Sequence, residues 1–185
     1  MTIGTTDIFL LVIIVSALVV GFFWGAGRSV LLLGAWLAAF LTGAYLKLQA
    51  GAWLSRQWTD FPPAFDEMAA FALVYLGILL AAPILIVIGT KGDQSLSRYQ
   101  ALDDIAGALF ASAVAILGIA GLIVVLSTYY AGLAPAETGG PEWVGNLYRS
   151  LLASRIGGAI EEQLIPIMGA VLGPFLPIDV REVMV

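Results

Sequence analysis

The chain of 185 residues has no cysteine and no histidine, and only 11% of it is charged. The missing cysteines remove disulfides and thiol chemistry. The missing histidines remove imidazole bases, the Ser-His-Asp triad and the commonest transition-metal ligand. Basic residues are also scarce, 8 Lys and Arg against 13 Asp and Glu. Phosphate backbones are bound by clustered cations, so a nucleic-acid partner is not expected. Asp7 stands ahead of the first apolar run in place of a basic leader, so that run reads as a membrane helix rather than a signal peptide.

What fills the chain is apolar: 61% of residues are hydrophobic, where a soluble domain carries about 25% charge. The apolar runs are continuous, not alternating. In lipid that means helices, which satisfy their own backbone groups. The expected fold class is all-α, a bundle of four transmembrane helices followed by an amphipathic helix and a broken apolar tail. The runs place helices at about 7–27, 29–47, 67–90 and 102–130, each near or above the roughly 18–20 residues a span requires. Trp24, Trp53, Trp58, Tyr45, Tyr129 and Tyr130 fall near run ends, where an aromatic belt puts them.

Little joins the first two runs. Gly25, Gly27 and Ser29 around Arg28 permit a tight reversal. The second connection holds Pro62 and Pro63, which end any helix there. In the third, Ser95 or Ser97 is placed to cap the fourth helix. Residues 133–142 form a Pro/Gly linker, and 143–185 make the tail. Trp143, Val144, Leu147, Tyr148, Leu151, Leu152 and Ile156 recur at helical spacing opposite Asn146, Arg149 and Ser150. The last apolar stretch, interrupted by Pro166, Pro174 and Pro177, reads as interfacial, re-entrant or an oligomer contact, being short for a span.

Threading four helices puts Arg28 on the same membrane face as Asp103 and Asp104. Short-loop basic residues number three on that face (Arg28, Lys91, Arg98) and two on the other (Lys47, Arg56). The positive-inside rule then puts both termini outside. Two placements of Arg28 are open. It pairs with Asp103 or Asp104 and ties the first hairpin to helix four, or it snorkels to headgroup phosphates while the aspartates favour the positive helix end. Small residues four apart mark packing stripes: Gly21 with Gly25; Ala35, Ala39 and Gly43; Gly107, Ala111 and Ala115.

Asp7 at the head of helix one, the "GAGR" turn, a Gly/Ala-rich second helix and "ALDDIAGALFASAVAILG" together resemble the colicin V production protein (CvpA) family. The resemblance covers roughly residues 1–132. It places Asp7, Gly25, Arg28, Leu102, Asp103 and Gly107 on family positions. Asp104 stands where the family usually has Arg, Ala111 and Ala115 where it has Gly, Val114 where Arg is common, and Ser29 where Glu often follows. The resemblance implies a multi-pass protein of the bacterial inner membrane, linked to colicin V production or export and to envelope homeostasis.

From the residues alone, a scaffold or accessory factor is expected. No ionisable residue lies deep in a span, and such charges mark ion pathways and coupled transport. Ser16, Thr42, Ser112 and Ser127 are polar residues within the spans, and they are expected to bond back to their own helices. The alternative is a small transporter or channel formed by an oligomer, with Pro83 breaking helix three. An enzyme is not expected, since adjacent Asp103 and Asp104 diverge by about 100° on a helix. No cofactor or metal is expected. The expected partners are the bilayer and other membrane proteins or a second copy.

Overall fold

The computed structural model describes residues 4–90, 100–131 and 140–184. Ser95, Ser97 and most of the 133–142 linker lie outside them. The elements are α1 (Thr5–Leu54), α2 (Pro63–Gly89), α3 (Gln100–Tyr130), α4 (Glu142–Ala153), α5 (Arg155–Ala159), a π-turn (Ile160–Leu164), α6 (Ile165–Leu172), a 3-10 turn (Gly173–Phe175) and α7 (Ile178–Glu182). Four helices among the described residues are long and apolar enough to cross a membrane: α1, α2, α3 and the continuous stretch Arg155–Phe175.

α1 is two limbs, 5–24 and 26–54, broken at Gly25, whose φ of 74° and ψ of 173° are non-helical. That region of backbone space is open essentially to glycine alone. The chain reverses there. Ile14 and Trp36, equally far before and after Gly25, both reach the Ile116–Leu117 level of α3. The crossing helices are therefore the two limbs, α2 and α3. Gly25 makes the turn unaided, while Gly27 stays helical and exposed.

α1 packs extensively on both α2 and α3, which meet each other much less. The second limb thus forms the centre, burying Trp36, Ala39, Phe40, Gly43 and Ala44. The first limb buries only Asp7, Leu10 and Gly21 and turns Phe9, Leu11, Val12, Val15, Val19 and Phe23 outward. In lipid such apolar exposure costs nothing, so packing rests on close backbone approach. α2 runs unbroken through Pro83, where discontinuity had been the alternative expectation.

Helix continues beyond Lys47 to Leu54, so Lys47 lies inside the second limb instead of closing it. Pro62 and Pro63 then act as N-cap and first residue of α2, where the missing N–H costs nothing.

The tail departs most from the sequence reading. Residues 155–175 form a helix of 21 residues, made continuous despite Pro166. The ladder slips to an i→i−5 bond, Ile165 N–H to Ile160 O, just before the proline that cannot donate. Although long enough to cross, this helix begins and ends at one level. Its start meets Asp7, through Ile156 N–H to Asp7 Oδ1 at 3.1 Å. At its end, Tyr45 Oη donates to Phe175 O at 2.8 Å, and beyond it Asp179 ion-pairs with Lys47. Asp7 and Tyr45 lie nearly equal numbers of residues from Gly25 along two antiparallel limbs. The tail therefore enters and leaves at the end of the bundle remote from the Gly25 turn, and α7 folds back beside α6 with Met184 against Gly169.

α4 packs Val144 and Leu151 inward and stacks Tyr148 on Tyr130 at 5.7 Å between centroids. Burial pushes the Tyr148 phenol up from its ordinary value, against a smaller opposing effect of its Ser127 partner.

Candidate functional site: the Gly25 turn and the locks around it

At the turn, Gly25 sits where an N-cap residue would, ahead of the second limb. Its lack of a side chain is used by α3: Asp103 Oδ1 accepts from Ala26 N–H at 3.2 Å, capping the second limb from a different helix. A Cβ on Gly25 would collide with the same carboxylate. Ser29, wholly buried, donates through Oγ to Gly25 O at 2.9 Å. Gly107 rests against the Gly21 carbonyl and the Gly25 backbone, and Gly21 rests against Gly107 and Ala111. The structure thus brings Gly21, Gly25, Asp103, Gly107 and Ala111 into one crossing.

Arg28 goes elsewhere. Its Nε donates to Thr90 Oγ1 at 2.9 Å and its Nη2 to Thr90 O at 3.3 Å. A guanidinium on the last carbonyls of α2 satisfies orphan acceptors and complements the negative helix end. Neither expected placement, ion pair or snorkelling, describes it. Asp103 is occupied by a backbone N–H, and the ion pair found among the described residues is Lys47 with Asp179. Asp104 is half-buried and Leu102 exposed to the extent of 65%.

Asp7 is remote from this knot. Its Oδ2 accepts from Gly4 N–H at 3.1 Å, closing the first turn of α1, and its other oxygen holds the tail. Of the remaining stripe residues, Ala39 and Gly43 are buried, Gly43 against Phe71, while Ala35 and Ala115 are half-buried. Ser112 and Ser127 bond back to Leu109 O and Ile123 O.

Three further locks carried no sequence flag. Trp36 Nε1 donates to both Tyr75 Oη (3.1 Å) and Leu117 O (3.0 Å), and Tyr75 Oη donates to Gly118 O (3.0 Å). This joins the second limb, α2 and α3 at mid-depth. The visible signal was an indole and a phenol placed away from any run end. The second lock is Lys47 with Asp179. The third is Asp66, fully buried, which takes Ser55 Oγ–H at 2.7 Å on Oδ2. Its Oδ1 finds no partner among the described residues.

A profile of the family described as colicin V production protein matches residues 6–146, from the first turn of α1 into α4. The chain belongs to the colicin V production family. The match takes in the Gly25 turn, the four crossing helices and Asp7 itself, though not its tail partner Ile156, and runs further than the 1–132 resemblance by the start of α4. No curated protein and no solved structure matches the chain. Family membership and the apolar helices make it a membrane protein.

Proposed function

We propose that this colicin V production family protein works in the bacterial inner membrane as a scaffold or accessory factor for toxin production or export and for envelope homeostasis. It acts through its lipid-facing helix surfaces and its tail, without catalysis and with both termini outside. The observation that supports this reading is how its motif residues are used. Gly25, Asp103, Gly107 and Arg28 are all engaged in helix-to-helix contacts, which fits an architectural use of the motif. In the second limb, Gly43 is filled by the ring of Phe71.

The other reading, a small transporter or channel built from an oligomer, needs a wet path. The absence of cysteine makes the deciding experiment direct. Single cysteines at Ala35, Ala39, Thr42, Ala111, Ser112 and Ala115 are probed with a membrane-impermeant thiol reagent from each side. Exposed Gly27 and Thr59 serve as controls for the two faces. The scaffold reading expects both controls to label and the six sites within the spans to stay silent. A labelled stripe at mid-depth sinks it in favour of transport.

A further inference from the structure

The tail and the first limb border two open surface clefts that share one residue, Arg155. The lower, of about 530 Å³, is walled by Ile14, Ile116, Leu164 and Ile167. The upper, of about 430 Å³, is bordered by Gly4, Thr6, Asp7, Ser150 and Ser154. Both volumes lie in the range of roughly 300–1,000 Å³ typical of ligand sites. Ile14 is two turns inside the bundle from Asp7, so the lower cleft opens at hydrocarbon depth. No polar ligand enters an apolar groove there, whereas a lipid chain does so at no cost. The upper cleft lies at the level of the first turn of α1, where headgroups sit.

The charges fix which lipid. Arg155 is exposed and within coulombic reach of Asp7, yet the two do not meet as an ion pair. Asp7 is held in place by Gly4 and Ile156 amides, with the Arg155 N–H also turned toward it, and a carboxylate has more acceptor sites than these three N–H groups fill. A separated cation and carboxylate, with an apolar groove beneath the cation, match a headgroup of the same two charges in the opposite order.

We propose that this composite cleft is a binding site for an ethanolamine phospholipid. One acyl chain lies in the Ile14–Ile116–Ile167 groove, the phosphate meets Arg155 and the primary ammonium donates to Asp7. A choline headgroup has no N–H to donate, and a glycerol headgroup brings no cation to Asp7. The lipid bridges the first limb to the tail, which are otherwise joined here through the Asp7 contact.

The test is native mass spectrometry of the full chain released from detergent micelles, with phosphatidylethanolamine, phosphatidylcholine and phosphatidylglycerol of identical chains added singly. One ethanolamine lipid is expected to stay bound about tenfold more than either competitor, the effect of one charge-assisted hydrogen bond. Arg155→Gln, an exposed position that leaves the fold alone, abolishes retention of all three lipids. Asp7→Asn, which keeps an acceptor for Ile156, removes only the preference for ethanolamine. Ile167→Trp, on a half-open wall, blocks the groove. Equal retention of the three lipids, or retention unaffected by Arg155→Gln, overturns the proposal. A phosphatidylglycerol preference that Asp7→Asn leaves unchanged overturns it as well.

Discussion

Asp103 caps a helix to which it does not belong: its Oδ1 lies 3.2 Å from the amide nitrogen of Ala26, across a separation of 77 residues. Helix N-termini leave N–H groups without partners. Supplying the cap from α3 makes closure of the first hairpin and docking of α3 one event. The positive-φ glycine is what admits the carboxylate.

Gly25→Ala therefore carries two penalties, backbone strain of about 1–3 kcal/mol and a clash with Asp103. Gly27→Ala, in open helical space, gains up to about 1 kcal/mol in helix propensity. Denaturant unfolding in micelles, followed by tryptophan fluorescence, is expected to separate the two variants in opposite directions. Equal effects would remove Gly25 from its place as the turn.

Removing the cap acceptor by Asp103→Ala is expected to cost about 0.5–2 kcal/mol, and Asp103→Asn less, because an amide oxygen still accepts. The charge swap Arg28→Asp with Asp103→Arg gives no rescue, since Arg28 bonds Thr90. Thr90→Val is expected to cost about 1 kcal/mol and to couple with Arg28→Gln in a double-mutant cycle. Coupling of Arg28 to Asp103 instead of Thr90 would contradict the geometry.

The mid-depth lock is unequal. Each change removes two hydrogen bonds, but Trp36→Phe also gives up the buried volume of the indole, whereas Tyr75→Phe keeps its ring and leaves Trp36 its carbonyl partner. Hydrogen bonds between membrane helices contribute about 0.6–1.7 kcal/mol. Trp36→Phe is expected at the upper end and Tyr75→Phe at the lower, read from the same unfolding curves. The reverse order would mean that Tyr75 to Gly118 carries the lock.

The four crossings were legible because an uncharged run of sufficient length admits few alternatives in lipid. The reversal at "GAGR" was legible as well, but not which glycine makes it. Gly25 is singled out by Asp103, distant in sequence. Arg28 was misread because charge drew attention to the aspartates, while its partner is a neutral threonine at the end of a run. The tail was read as too short and broken to span, since three prolines interrupt it. A π-turn absorbs Pro166 and leaves the helix intact. Lys47 looked like the end of a helix because its counter-charge, Asp179, follows 132 residues later in a segment with no pattern to link them.

That pair gives the most asymmetric expectation. Lys47 is 5% exposed at its side chain and Asp179 51%. Removing Asp179 strands a buried ammonium, whereas removing Lys47 leaves a carboxylate that water reaches. Breaking a fully buried pair costs about 3–5 kcal/mol, and the exposure of Asp179 discounts this to roughly 2 kcal/mol for Asp179→Asn. Lys47→Met replaces the stem with an apolar one of similar length and is expected to cost under about 1 kcal/mol. The double variant should resemble Lys47→Met alone, since the amide then faces no stranded charge. Limited proteolysis reports the same order, with cleavage in 155–184 fastest in Asp179→Asn. If Lys47→Met frees the tail as readily, the ion pair itself is the latch; if neither does, Tyr45 on the Phe175 carbonyl is enough to hold it.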